Sequence, residues 1–155
     1  MDLMALVVYK GIAIRVLLPI SSEEVAERFG YDGEEIEVTI DSIESLPTLN
    51  CEGLTLDLAN RLAKRLENVD ENLVLTFIEC KKSNALSLLN ADFEGCWLYP
   101  DVNTYYDLGK RTVEDDDFNY SIETLKRYFD YDKFGRAVSL SEGGSFTGRG
   151  YFVSR

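Results

Sequence analysis

The sequence predicts an α+β fold from three patterns. Apolar residues alternate at period two over residues 12–18, as in a half-buried strand, and leucines recur every four residues over 54–66, as on one face of a helix. Glycines interrupt an aromatic C-terminal stretch over 143–153, as in a hairpin. With 155 residues and 45% hydrophobic content, the chain is long enough to bury a core.

The first elements are two strands and a short helix. Residues 6–9 and 12–18 predict strands that are joined at Lys10-Gly11. Ser21 is placed to cap a helix that carries Val25 on its apolar face, and Gly30 is placed to end it.

Residues 34–40 predict a third strand. Ile36, Val38 and Ile40 alternate with glutamates and a threonine, so one face is apolar and the other is anionic.

The middle of the chain predicts helix. The leucines of residues 54–66 form one face, Thr55 can cap the N-terminus, and basic residues occupy the opposite face. Residues 73–78 are apolar throughout, and periodicity does not decide between a buried strand and a buried helix there.

The C-terminal part mixes both types of element. Residues 93–99 predict a strand, residues 105–108 a helix, and Ser121 can cap a further helix before the terminal hairpin. Because no long linker is present, any domain boundaries are tight turns, near Asn50 and near residues 91–92.

The chain is strongly acidic. It has 28 Asp and Glu against 16 Lys and Arg, a net charge of −12 and a pI near 4.4. Such a charge repels polyanions, which argues against a conventional nucleic-acid-binding surface, and it attracts basic surfaces. Acidity that serves solubility alone is the alternative explanation.

The negative charge falls into two acidic lobes. Residues 20–56 carry a net charge of −9 and residues 83–132 carry −7, whereas residues 57–82 are neutral. The densest point is residues 114–117. Because B-DNA carries one charge per roughly 1.7 Å of axis, a net of twelve charges corresponds to about 20 Å of duplex.

Several kinds of catalytic site are excluded by composition. The chain has no histidine, so it cannot build Ser-His-Asp or Cys-His nucleophilic sites or a histidine-bearing zinc site. The three cysteines are widely spaced and resemble reduced cytosolic thiols. We therefore expect no cofactor, no bound metal and no catalytic residues. The apolar N-terminus is too interrupted to span a bilayer, and a cytoplasmic protein without membrane contact is expected.

A nuclease is the alternative function. Asp70 precedes the apolar run that ends in Glu79-Cys80-Lys81, and an aspartate followed on a strand by Glu-x-Lys resembles the metal-binding core of restriction-like nucleases. In that arrangement Asp70 and Glu79 would hold Mg²⁺, and Lys81 would steady the attacking water.

The C-terminal third resembles the ArdA-type antirestriction proteins. Residues 128–136, Tyr-Phe-Asp-Tyr-Asp-Lys-Phe-Gly-Arg, are similar to the aromatic-Asp-Tyr helix and Gly-Arg step of that family, and a short closing hairpin follows. Leu18-Pro19, the 34–40 segment and the leucine helix occur upstream in the family's order. The similarity covers nearly the whole chain and is specific at residues 120–140.

The resemblance implies an elongated chain of three small domains. These are an α+β domain over 1–50, consisting of a small β-sheet with a helix, a mainly helical domain over 51–91 and an α+β domain over 92–155. It also implies a non-enzymatic inhibitor, typical of mobile genetic elements, whose carboxylates imitate DNA phosphates and block the DNA-binding groove of Type I restriction-modification enzymes or related DNA-binding enzymes. The protein itself would contact no nucleic acid, and it would form a homodimer through its C-terminal domain.

Two sets of residues are the candidates for these roles. For the dimer interface, aromatic enrichment favours Trp97, Tyr99, Tyr105 and Tyr106, although each can equally be core. The DNA-mimicking acidic surface is predicted to comprise Glu23, Glu24, Glu27, Glu34, Glu35, Glu37, Asp101, Asp107, Glu114, Asp115, Asp116, Asp117, Glu123, Asp130 and Asp132.

Overall fold

The computed structural model describes residues 1–33, 35–115 and 121–154, and within them the chain is mixed α and β, with two three-stranded sheets and seven helices. It divides into two compact units, Met1–Asp92 and Phe93–Arg155. The predicted α+β class is confirmed. The predicted separation of residues 1–50 from 51–91 stays a prediction.

The first unit begins with an antiparallel sheet in the order β2-β1-β3, formed by β1 (Leu3–Tyr9), β2 (Ile12–Leu18) and β3 (Thr39–Ile43). Lys10 and Gly11 connect β1 to β2, and both have positive φ, as a two-residue hairpin turn requires. One face of β1 is fully buried, whereas the alternate residues on its other face are only partly covered.

The helices of the first unit are α1 (Ser22–Arg28), α2 (Leu56–Leu66), α3 (Glu71–Lys81) and α4 (Ala85–Leu88). The predicted caps of α1 and α2 are confirmed, because the Ser21 and Thr55 side chains accept hydrogen bonds from the backbone three residues on. Helix α2 contacts β2, β3 and α4, and its buried leucines belong to the core.

The third strand is shorter than predicted. It begins at Thr39, and the described residues 35–38 lie outside the sheet, while Glu34 is outside the described residues. The reason is the length of the partner strand: Thr39 pairs with Val8, and β1 ends one residue later at Tyr9. Residues 35–38 alternate as a strand would, but they lie beyond the end of β1 and have no backbone to pair with.

The undecided apolar run of residues 73–78 is helical and lies within α3. Asp70 caps this helix, because its carboxylate oxygen accepts a hydrogen bond from Leu73 N at 3.0 Å. Lys82 ends it in the left-handed conformation. Three of the six residues of this run are β-branched, so side-chain stiffness does not favour a helix, and the good N-cap at Asp70 does.

The second unit has a sheet in the order β4-β6-β5, from β4 (Cys96–Tyr99), β5 (Ser145–Thr147) and β6 (Gly150–Ser154). Its helices are α5 (Tyr105–Asp115), α6 (Ile122–Tyr128) and α7 (Tyr131–Glu142). Tyr151 and Val153 of β6 lie in a core with Val102 and Leu108, against which Val138 of α7 also packs. The predicted hairpin and the Ser121 cap are confirmed.

Helices α5 and α7 approach each other so closely that only glycine fits at the contact. A Cβ atom on Gly109 would lie 2.1 Å from the carbonyl oxygen of Tyr131, and one on Gly135 would lie 1.8 Å from that of Tyr105. Both are backbone atoms, which cannot move aside as a flexible side chain can. The two helices therefore touch backbone to backbone.

A reciprocal capping box starts α5. The Asp107 carboxylate accepts hydrogen bonds from Thr104 Oγ1 at 2.8 Å, Thr104 N at 3.0 Å and Asn103 N at 3.2 Å. Thr104 Oγ1 in turn accepts one from Asp107 N at 3.1 Å. The hydrogen bond from the Thr104 hydroxyl, followed by those from the two backbone amides, holds the pKa of Asp107 below its usual value.

We predict that Gly109→Ala and Gly135→Ala each destabilise the protein by about 3 kcal/mol or more, because a methyl group forces α5 and α7 apart. Urea denaturation measures the change. The control is Gly148→Ala, since nothing lies within 4 Å of a Cβ at that position. Equal stability of all three variants would contradict the close contact.

We predict that Asp107→Asn lowers the free energy of unfolding by about 1 kcal/mol at neutral pH. Because the folded-state pKa of Asp107 is depressed, its contribution is present above the unfolded-state value and is lost as the pH falls through the folded-state value. The gap between wild type and variant should therefore close under acid conditions in denaturation experiments. Asp101→Asn, which removes an exposed carboxylate outside the box, is the matched control and should leave the free energy of unfolding at neutral pH unchanged.

Candidate functional site

Helix α1 presents three exposed glutamates. Glu23 and Glu24 occupy its first turn and Glu27 its last, while Val25 and Ala26 face the core. Hydrogen bonds from the backbone amide of Glu23 and from nearby serine hydroxyls lower the pKa of Glu23, so it stays ionised. The helix therefore carries fixed negative charge near the start of the first acidic lobe.

The acidic segment before β3 keeps its predicted alternation although it is not a strand. Glu35 and Glu37 are exposed, whereas Ile36 and Val38, which alternate with them, are partly buried. The pattern continues into β3, where Asp41 is exposed between buried isoleucines. Burial of every second side chain thus fixes the direction in which the carboxylates point.

A groove of about 430 Å³ joins this segment to the loop before α2. Residues 37–41 line one side and residues 50–55 line the other, and three carboxylates, Glu37, Asp41 and Glu52, belong to the lining. Asp41 and Glu52 were not among the residues predicted from the sequence. Asp41 continues the same period-two pattern, which is a signal that could have identified it. No local signal identified Glu52, because a tertiary contact brings its loop to β3.

In the described part of the first unit, few of these carboxylates form an ion pair with a lysine or an arginine. Glu24 forms an ion pair with Arg28 at 2.6 Å, and Glu44 forms one with Arg15. By contrast, Glu27, Glu37 and Asp41 are exposed and form no ion pair with any cation that the structure describes, and the same is true of Glu35 and Glu52. Their charge is therefore available to a partner.

The acids of the second unit are more often engaged within the protein. Asp107 and Asp130 cap α5 and α7, and Asp132 forms an ion pair with Arg136 at 2.8 Å. Lys126 pairs with Glu114 at 3.1 Å and with Glu123 at 3.7 Å. Asp101 is exposed. Asp115 ends α5, and its side chain is outside the described part of the chain, as are Asp116 and Asp117.

The four candidate interface aromatics differ in exposure. Trp97 is 40% exposed and Tyr106 51%. Tyr99 and Tyr105 are partly buried, and each lies under an arginine side chain, Arg111 over Tyr99 at 4.1 Å and Arg136 over Tyr105 at 4.5 Å. Of these four aromatic residues, only Trp97 and Tyr106 therefore expose a large apolar surface to a partner.

The nuclease arrangement is not formed. Asp70 caps the N-terminus of α3, and Glu79 and Lys81 lie in its last turn. At 1.5 Å of rise per residue, Asp70 and Glu79 are about 14 Å apart along the helix axis, which is too far to share one metal ion. The alternative function is therefore not supported, because the nuclease core requires a strand between these residues and the run is a helix.

Other catalytic chemistry finds little support in the described residues. Burial is the main cause that raises the pKa of Cys51 and of Cys80, so neither thiol is activated as a thiolate. No three cysteine, aspartate or glutamate side chains in the described ranges are grouped so that they could bind a metal. None of the described helices has both the length and the apolar character required to traverse a bilayer.

A protein-family model matches most of the chain. The model described as "Antirestriction protein (ArdA)" matches residues 16–153, which is nearly the whole of the 155-residue chain. No curated protein matches the chain. The family match includes the exposed acids of α1, the groove and all of the second unit except its last residues. The chain therefore belongs to the ArdA family of antirestriction proteins.

Proposed function

We propose that this protein acts by DNA mimicry: its exposed carboxylates occupy the DNA-binding groove of a Type I restriction-modification enzyme or a related DNA-processing enzyme. Family membership implies the antirestriction function, and the arrangement of charge supports this mechanism for it. The protein would then act as a competitive inhibitor and not as an enzyme.

The observation that carries the proposal is the uncompensated acidic surface of the first unit. Glu37, Asp41 and Glu52 line one groove, and α1 and the segment before β3 add further exposed glutamates. A chain that needed acidity only for solubility gains nothing from grouping carboxylates that repel each other. Grouping is useful when a basic partner compensates the repulsion.

The physical basis of the inhibition is the charge of the target. An enzyme that binds DNA presents lysine and arginine side chains to phosphates, and it owes much of its affinity to this electrostatic contact. Carboxylates held at fixed positions can accept the same hydrogen bonds and charge contacts. The protein and DNA would then compete, because the DNA-binding groove of the enzyme cannot hold both at once.

The predicted homodimer is also a proposal. One chain carries charge for about 20 Å of duplex, and two chains related by a two-fold axis roughly double that length. Trp97 and Tyr106 are the accessible members of the predicted interface. Tyr99 and Tyr105, by contrast, pack against arginines inside the second unit and contribute less surface.

We predict that the triple variant Glu37→Gln, Asp41→Asn, Glu52→Gln weakens inhibition by about tenfold, since exposed charge contacts contribute up to about 1 kcal/mol each. The assay is DNA binding and cleavage by a purified Type I enzyme at 50 and 200 mM salt. Inhibition by wild type should fall as salt rises, and excess duplex DNA should relieve it.

The matched control removes three exposed charges of the neutral segment 57–82, outside the predicted acidic surface, by Asp57→Asn, Glu67→Gln and Glu71→Gln. Both variants change the net charge equally, so a general charge effect weakens them alike. Inhibition that DNA does not relieve, or equal loss in the two variants, would count against mimicry by this groove.

We predict that the wild type sediments as a dimer at micromolar concentration and that Trp97→Lys with Tyr106→Lys makes it monomeric, because two buried charges oppose association. Circular dichroism checks that the variant stays folded. Tyr128→Lys with Leu140→Lys is the control, as both side chains are 86% exposed. A monomeric wild type, or a control variant that alone dissociates, would refute this interface.

A further inference from the structure

Strand β2 lies at the edge of the first unit's sheet, and no strand in the described part of the chain pairs with its outer side. It pairs with β1 in one continuous register, and Tyr9 and Ile12 flank the two-residue turn. In such a hairpin the residues next to the turn exchange hydrogen bonds. Ala13, Arg15 and Leu17 therefore direct their backbone N–H and C=O groups away from β1, toward the free edge.

This edge lacks the features that usually protect an edge strand, such as a proline, a bulge or a charged side chain that faces outward. Residues 12–18 contain no proline, and Arg15 is the only charged residue among them. Arg15 forms an ion pair with Glu44, which follows β3 on the opposite side of β1. The ion pair thus draws the guanidinium group across the sheet and away from the free edge.

Apolar side chains are exposed beside the free backbone groups. Ile12 is 61% exposed and Leu17 is 50% exposed, and Ala13 between them is exposed as well. The edge therefore combines unpaired backbone groups with apolar surface, which is what an added strand covers.

The distribution of charge indicates which strand would fit this edge. Residues 3–22 contain no aspartate or glutamate, and this is the longest stretch without an acid in a chain that has 28 acids. Two copies of the chain repel each other through their net charge, but two such edges bring no carboxylates together. A basic partner, by contrast, would find no opposite charge here. A second copy is therefore the better occupant.

The register that suits the side chains has its two-fold axis at Ile14. Antiparallel pairing about this axis sets Ile14 opposite the same residue of the second copy, and it sets Arg15 opposite Ala13. Leu17 then lies opposite Gly11 and covers a residue that has no side chain. A register centred on Arg15 would set two like charges directly opposite each other, which is destabilising.

We propose that β2 is a self-association edge, at which two copies of this protein pair in antiparallel orientation and join their three-stranded sheets into one continuous sheet. The proposal uses the first unit alone and rests neither on the DNA mimicry nor on the Trp97 and Tyr106 interface. Because a single strand pair buries little surface, we expect a dissociation constant on the order of 100 µM. The contact therefore forms at high protein concentration.

Sedimentation equilibrium of the full-length protein tests the contact, from about 10 to about 500 µM protein and in about 200 mM salt, which screens the net charges. The average mass of the wild type should rise across this range, from whichever state it has at the lowest concentration. Ile12→Lys should weaken the association by about tenfold or more, because a charge on an edge strand opposes pairing.

Two control variants should keep the rise in mass. Leu86→Lys adds the same charge at an exposed apolar residue of α4 in the same unit. Trp97→Lys with Tyr106→Lys removes the interface proposed for the second unit. The behaviour of this double variant separates the β2 contact from that interface, so either can fail without the other.

Ile14→Cys tests the register. On treatment with diamide, which accepts the two hydrogens of the thiols, this variant should form a disulfide-linked dimer, because the two cysteines face each other across the axis. Leu86→Cys is the matched control, and the wild type shows what its own cysteines contribute. Of these, Cys51 and Cys96 are buried.

Several outcomes would overturn the proposal. One is a constant mass of the wild type over the whole concentration range, and another is a rise that persists in Ile12→Lys. Loss of the rise in either control variant would assign it to general charge or to the second unit. Ile14→Cys that crosslinks no faster than Leu86→Cys would show that the copies do not pair about this axis.

Discussion

The backbone contact between α5 and α7 at Gly109 and Gly135 determines the geometry of the second unit. Because no side chain separates the helices there, Tyr131 at the start of α7 is held against Tyr106 of α5. That packing buries the Tyr131 side chain, which is 7% exposed, and sets its ring edge-on to that of Tyr106. The aromatic packing at the start of α7 therefore depends on how closely these two helices lie.

The two units use their acidic residues differently. In the second unit, carboxylates cap helices or form ion pairs, so much of their charge contributes to the fold. In the first unit, Glu37, Asp41 and Glu52 share a groove without a described cation. Carboxylates that are grouped in this way repel each other and destabilise the folded protein. Residues that destabilise a fold without contributing to its structure are expected to serve binding. Net charge alone does not reveal this division.

Local patterns predicted most of the secondary structure. The caps at Ser21, Thr55 and Ser121 and the closing hairpin follow from side-chain chemistry within a few residues, and all are confirmed. The start of β3 was predicted too early, because a strand also needs a partner and β1 ends at Tyr9.

The features that the sequence did not show depend on tertiary contacts. A uniformly apolar run has no periodicity, so the helical state of α3 was left open. The glycines at the α5–α7 contact look like ordinary helix-weakening residues until the opposite backbone is seen. The ion pair between Lys126 and Glu114 and the groove position of Glu52 likewise join segments that are separate in sequence. Family membership was predicted because its motif is contiguous at the C-terminus.

The position of Asp41 within β3 has a kinetic consequence. Asp41 lies at the bulge opposite Leu6 and Val7, without a partner of its own on β1, and the pairing of Ile40 and Ser42 on either side of it holds its backbone in place. A carboxylate on such a scaffold loses little conformational entropy when a cation approaches, because its main chain is already ordered before the encounter. In the proposed mimicry, a collision with a basic groove of the target can then become a bound state without a slow folding step.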